Sequence, residues 1–206
     1  MSSLLARSLA RVKKFTRYAP TSKIPELSIV MVIDREESYE NISQALDCLQ
    51  KSYVLLETEI VIVVDAISPE VEGLVLRLGS ERSLSILKVD SSSSVAERRI
   101  AGYYYSFGTS PLILFVSTRI RFDVERMDWI QGLVDEIISK ESIWEVSPRG
   151  CESEIQLYRR EALYARAHGM SGSAQTVEAE VRASNAWFLQ RGYEIRVINA
   201  TTRLEE

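Results

Sequence analysis

Hydrophobic positions along the chain follow two alternating patterns. Leu27–Ile33 (LSIVMVI), Glu59–Val64 (EIVIVV), Leu84–Val89 and Pro111–Val116 (PLILFV) are near-continuous apolar runs of strand length. Such runs predict strands buried on both faces. Between them the period changes. Tyr39, Ile42, Ala45, Leu46 and Leu49 recur at spacings of three and four, which predicts a helix. Ser68 followed by Pro69 marks a second helix start, and the helix should run to about Leu78–Gly79. Ser94 with Glu97 makes a capping box for a third, through Tyr105. A longer helix is expected after Asp123, with Met127, Ile130, Val134, Ile137 and Ile138 on its apolar face.

Strand and helix in this order imply right-handed βαβ units. The expected fold is α/β, a mostly parallel sheet covered by helices on both faces. The last third is less regular. Ile143–Val146 and Ile155–Tyr158 read as short strands, and Val177–Gln190 as a helix ended by Gly192. Tyr193, Ile195 and Val197 then alternate with Glu194 and Arg196, as in a half-exposed strand. No internal repeat or linker interrupts the 206 residues, so a single domain is expected.

Composition changes this picture at one end only. With 46% hydrophobic and 26% charged residues, the chain is neither disordered nor a disulfide-stapled miniprotein. The formal net charge of -4 gives no sign of nucleic-acid binding. Residues 1–25, however, carry six basic residues and no acid, while residues 26–206 carry 19 basic and 29 acidic residues. The chain thus divides into a basic leader (1–25) and an acidic body (26–206).

In the leader, Leu4, Leu5, Leu9, Val12 and Phe15 interleave with Arg and Lys. On one helix they form an apolar stripe with basic flanks. That pattern resembles an interfacial helix on an anionic membrane or an organellar transit peptide. The alternatives are a basic helix packed on the acidic body and a frayed tail. No apolar run reaches the ~18–20 residues of a membrane span. The expected location is therefore cytoplasmic, with residues 1–20 as a peripheral contact to a membrane surface or a protein partner. Cys48 and Cys151 stand far apart without a Cys/His cluster, which argues against structural zinc and for two buried free thiols.

The chemistry lies at the strand ends. In an open parallel sheet, ligands sit beyond the carboxyl ends of the strands. Those ends are Asp34, Asp65, Asp90 and Ser117. Helix capping explains any one aspartate, and three in succession less well. A crown of carboxylates can bind nucleoside hydroxyls and base N–H groups, or hold a divalent cation. Other signals are weaker. His168 is the sole histidine and has no GxSxG elbow beside it. Trp129, Trp144 and Trp187 read as core or rim, and Tyr103–Tyr105 fan around a helix. No GxGxxG or GxxxxGK[ST] loop is present. A receiver-like domain would place its phospho-acceptor at Asp90, but its paired acids and its lysine are not evident.

From about Leu27 to Ile198 the layout resembles the nucleotide-diphospho-sugar transferases of the family 2, GT-A-fold type. Asp34-Arg35-Glu36 stands where that family opens its first loop, and Asp65-Ala66-Ile67-Ser68 where it has an Asp-Asp-Gly-Ser-like turn. Ala96-Glu97-Arg98-Arg99 stands at its Ala-Arg-Asn-like segment. Tyr158 to Leu163 and His168-Gly169-Met170 follow as its YRREAL-like and Gly-Gly-Phe-like stretches. Glu180-Val181 opens, and Gly192-Tyr193 closes, the last helix. The resemblance implies a GT-A-like (Rossmann-like) sheet and a nucleotide-diphospho-sugar donor. It also implies a glycan or lipid-linked acceptor, and a role in polysaccharide biosynthesis.

The departures fall on the chemistry. Ser117, Thr118, Arg119 and Arg121 occupy the region of the Asp-X-Asp motif that binds Mg²⁺ or Mn²⁺ in the family, and none supplies a carboxylate. Val181 replaces the second acid of the Glu-Asp base motif, leaving Glu180 and Glu178 nearest. Ala66 replaces one acid of the Asp-Asp turn. The chain is also short for the acceptor-binding elements that usually follow the core.

Two readings follow. In the first, Asp34, Asp65, Asp90 and Arg98 hold the nucleoside, and Ser117, Arg119 and Arg121 take the diphosphate without Mg²⁺ or Mn²⁺. Glu180 or Glu178 then acts as base. In the second, the domain is a non-catalytic pseudoenzyme that binds a ligand or a partner subunit. Losses at three sites favour the second.

Overall fold

The computed structural model describes residues 4–18, 24–34, 36–78, 83–106, 108–122, 127–169, 176–199 and 202–204. In chain order the elements are α1 (Leu4–Ala10), β1 (Val12–Tyr18), β2 (Leu27–Ile33), α2 (Tyr39–Lys51), β3 (Thr58–Val64), α3 (Pro69–Leu78), β4 (Ser83–Val89) and α4 (Val95–Tyr105). Then come β5 (Leu112–Ser117), β6 (Ile120–Phe122), α5 (Trp129–Ser139), β7 (Ile143–Pro148), β8 (Ile155–Arg159), α6 (Arg160–Gly169), α7 (Val177–Leu189), β9 (Glu194–Ile198) and β10 (Thr202–Leu204).

Eight strands form one sheet in the order β1-β4-β3-β2-β5-β8-β7-β9. The four apolar runs make its parallel centre, β4-β3-β2-β5. β8 then enters antiparallel between β5 and β7, and β7 pairs parallel with β9. The sheet has two buried faces because successive side chains alternate sides. Ile29, Met31, Ile60 and Ile62 face α2, α3 and α5. Val30, Val61, Val63, Ile113 and Phe115 face α1, α4, α6 and α7. This is the α/β architecture the periodicities predict, in a single domain.

The leader departs from its expected form. Its helix stops at Ala10, and Val12 and Phe15 lie on β1, which pairs antiparallel with the edge of β4 from Val12↔Val89 to Tyr18↔Leu84. Lys and Arg are tolerated there because an edge strand has one side in water. Phe15 packs on Tyr105 with ring centroids 5.0 Å apart, and Leu4 is buried against α4 and α6. Residues 12–18 are thus part of the sheet.

Smaller differences have local causes. The helix expected from Asp123 begins at Trp129, and Asp123 lies outside the described residues. Met127 and Ile138 are exposed, not on the apolar face. α6 and the β6–β10 pair were not expected, since each is short and weakly periodic. Gly79 lies outside the described residues. Cys151 is buried, whereas Cys48 is only half-buried.

The capping box forms as predicted. Ser94 Oγ accepts from Glu97 N at 3.2 Å, and Glu97 Oε2 accepts from Ser94 N at 2.9 Å. Glu97 Oε1 also meets Arg7 Nε at 3.3 Å, which ties α1 to the first turn of α4. Ser94→Ala should therefore cost about 1 kcal/mol in urea unfolding. Glu97→Ala should cost more, because it also leaves Arg7 without this acceptor.

Candidate functional site

The carboxyl ends of β2, β3 and β4 present Asp34, Asp65 and Asp90, as expected, but the three are used differently. Arg98, in the first turn of α4, lies between the first two. Its Nη1 donates to Asp34 Oδ1 at 2.6 Å, and its Nη2 is 3.8 Å from Asp65 Oδ2. Asp34 is exposed, whereas the Asp65 side chain is buried, with Oδ1 accepting from Ala66 N at 2.7 Å. The buried Arg98 Nε has no hydrogen-bond partner among the described residues. Arg98 thus neutralises the pair of acids that the resemblance assigns to the nucleoside.

Asp90 is engaged from the N-terminal side. Its Oδ1 accepts from Ser92 Oγ at 2.6 Å and Ser92 N at 2.9 Å. Lys13 Nζ lies 3.3 Å away and Arg11 Nη1 3.9 Å. The Ser92 hydroxyl and amide, aided by Lys13, hold the Asp90 carboxyl well below the usual carboxylate range. Arg11 also bonds Ser92. Asp90 therefore anchors the strand and turn around it.

A cavity of about 310 Å³ opens at the carboxyl edge of β2 and β5. Four expected residues line it: Asp34, Ser117, Arg119 and Glu178. Asp65, Asp90 and Arg98 do not. Ser117 closes β5; its Oγ accepts from Arg119 N at 3.1 Å, and its N–H donates to Glu154 O at 2.9 Å. Arg119 is exposed, and Glu178 is exposed in the first turn of α7. Arg121 lies on β6 opposite Arg203, and Glu180 on α7, with both side chains outside the described set. The side chain of His168 also lies outside it.

Sequence reasoning missed Arg99, Gln156, Glu37 and Glu154, which line the same cavity. Arg99 was in view beside Arg98. Neighbours on a helix point about 100° apart, so Arg98 reaches Asp34 while Arg99 turns toward β5 and β8. Gln156 carries no local signal. It reaches the cavity because β8 pairs with β5, setting Gln156 opposite Phe115.

Neither a family model nor a curated protein matches this sequence. Solved structures do match its fold. The mannosyltransferase PcManGT from Pyrobaculum calidifontis, in complex with GDP-Man and Mn²⁺, superposes with a TM-score of 0.68 over 95% of this chain and 60% of its own, at 14% identity. Glucosyl-3-phosphoglycerate synthase from Mycobacterium tuberculosis, with Mg²⁺ and UDP, gives 0.63 over 92% of this chain and 78% of its own, at 13% identity. S. aureus TarS gives 0.59 over 85% and 35%, at 14% identity. The chain thus has the GT-A fold of nucleotide-sugar glycosyltransferases, and it spans 60% of the length of the mannosyltransferase.

The mannosyltransferase structure holds Mn²⁺ and the synthase structure Mg²⁺; at the end of β5 the described residues supply no carboxylate for such an ion. The end of β5 offers two hydroxyls and a guanidinium, and a guanidinium has no lone pair to give a cation. Among the described residues no three His, Cys, Asp or Glu side chains are grouped closely enough to hold a metal ion. This donor set does not fit a divalent ion. Among the described residues, too, no helix is long and apolar enough to cross a membrane.

Proposed function

We propose that this chain is a nucleotide-sugar-binding domain of the glycosyltransferase type, which holds its donor without a metal ion. One observation carries the reading: Asp34, Ser117, Arg119 and Glu178 converge on a single cavity at the carboxyl edge of β2 and β5. Open α/β sheets bind their ligands at that edge.

In this reading Asp34 faces the nucleoside, and Arg98, backed by the buried Asp65, holds Asp34 in place. Ser117 and Arg119, with Arg121, take the diphosphate. Glu178 or Glu180 accepts the proton of a glycan or lipid-linked acceptor hydroxyl. The acceptor oxygen then bonds to the anomeric carbon of the sugar. The bond from that carbon to the diphosphate oxygen breaks, and the nucleoside diphosphate leaves with its electron pair.

A second reading, a non-catalytic binding subunit, has its own support. The Arg98 contacts with Asp34 and Asp65, and those of Lys13 and Arg11 with Asp90, already satisfy all three strand-end acids from within the chain.

Titration with UDP-, GDP- and dTDP-sugars, with and without Mn²⁺, tests the proposal. The expected result is metal-independent binding of one donor class, weakened about tenfold or more by Arg119→Ala, as for a lost charge-assisted hydrogen bond. No binding of any nucleotide sugar would reject it. Binding without release of the nucleoside diphosphate, across glycan and lipid-linked acceptors, would favour the non-catalytic reading.

A further inference from the structure

Among the described residues lining the cavity, Arg119 is an exposed cation and Arg99 a buried one, about 4% accessible. Phe115 and Gln156 help to set the Arg99 guanidinium in place. Its carbon centre lies 4.1 Å from the centroid of the Phe115 ring, so the ring face supports it. Its Nη2 donates to Gln156 Oε1. Gln156 Nε2 in turn donates to the Glu152 carbonyl, which fixes the amide so that its oxygen faces Arg99. The Glu152–Gln156–Arg99 relay and the Phe115 ring thus orient a positive charge before any ligand arrives.

In a partly enclosed site the attraction between unit charges is several times its value in open water. The planar fork of arginine also matches the oxygens of a phosphate two at a time. The same cavity is lined by the acids Asp34, Glu37, Glu154 and Glu178, whose carboxylates suit hydroxyl groups. One lining therefore carries both cations and acids, as a ligand with phosphates and a polyol requires.

We infer that Arg99, oriented by Gln156 and Phe115, is the main phosphate-binding residue of this cavity and grips the diphosphate of a nucleoside-diphosphate ligand. The inference rests on the nucleotide-sugar reading above and gives that site its charge. It places the neutralising cation on α4, behind the end of β5, so that the exposed Arg119 plays the lesser part.

Calorimetric titrations in EDTA test it, with GDP-mannose, UDP-glucose, inorganic pyrophosphate, guanosine and uridine as probes. The full chain should bind one nucleotide sugar and, more weakly, pyrophosphate. Arg99→Met should lower the affinity for both by about thirtyfold or more while leaving the nucleoside unchanged. Arg119→Ala should have the smaller effect. Arg99→Lys keeps the charge without the fork and should lose at least fivefold. It also serves if the Met variant fails to fold, which a thermal melt will show.

Unchanged diphosphate affinity in a folded Arg99→Met or Arg99→Lys variant would overturn the role of Arg99 and leave the nucleotide-sugar reading standing. Pyrophosphate binding that depends on Arg99, with no nucleotide sugar bound, would uphold the anion site and overturn that reading. Absence of binding by every phosphate probe overturns both.

Discussion

Removal of residues 1–18 should destabilise the whole domain, not merely detach a tail. These residues supply α1 and β1. Leu4 is about 1% exposed against α4 and α6, and Val12 and Phe15 pack on the same face of the sheet. At about 1.5–3 kcal/mol for each fully buried large apolar side chain, and less for partly buried ones, the loss reaches about 5 kcal/mol. That is comparable with the whole stability of a typical domain. The deletion also bares the edge of β4, a template for aggregation. Differential scanning calorimetry should show a melting temperature lower by about 10–20 °C, or no cooperative transition. An unchanged melt would mean that the segment adds nothing to the fold. The same geometry bears on the membrane expectation. Arg7, Arg11 and Lys13 contact Glu97, Ser92 and Asp90, so a membrane surface would have to compete with the domain for these charges. Equal co-sedimentation of the intact chain with anionic and with neutral liposomes would reject a peripheral anchor.

Gly102→Ala should destabilise the protein, although alanine is the better helix former. A Cβ at Gly102 would stand 2.4 Å from Val30 Cγ1 and 2.9 Å from Val63 Cγ2. Neither valine can swing away, because both are fully buried in the centre of the sheet. Helix α4 must therefore lift from the sheet. Overpacking of this kind costs about 1–3 kcal/mol or more, which outweighs the gain of about 1 kcal/mol in helix propensity. Gly73 in α3 and Gly132 in α5 are the controls. Nothing lies within 4 Å of a Cβ at either, so alanine there should stabilise by up to about 1 kcal/mol. Urea unfolding of the three variants should show opposite signs. Because α4 carries Arg98 and Arg99, Gly102→Ala should also weaken any ligand of the cavity. A stabilised Gly102→Ala variant would contradict this close approach of α4 to the sheet.

Much of the fold was legible because its signals are local. The runs LSIVMVI and EIVIVV declare strands buried on both faces, and both are central. Ser94 and Glu97 sit three residues apart, a spacing that works only at a helix start, and they cap α4. Arg119 and Glu178 entered only through the family resemblance, whereas the strand-end aspartates were legible from local signals. Their partners were not. That Arg98 would bridge Asp34 and Asp65, and Lys13 hold Asp90, depends on contacts across 64, 33 and 77 positions of sequence.

The leader shows the limit most plainly. Its alternation of Leu, Val and Phe with Arg and Lys suits a surface helix and an edge strand equally, since each has one wet side. Only the unpaired edge of β4, with Asp90 at its end, selects the strand. The insertion of β8 between β5 and β7 is likewise a tertiary fact, and it alone brings Gln156 to Phe115 and Arg99. Periodicity and capping act within a few residues, so the sequence by itself determined the alternating elements, the parallel centre and the chemical edge. Sheet order, edge pairing and the burial of Arg99 depend on which distant segments meet, and the tertiary structure alone decided them.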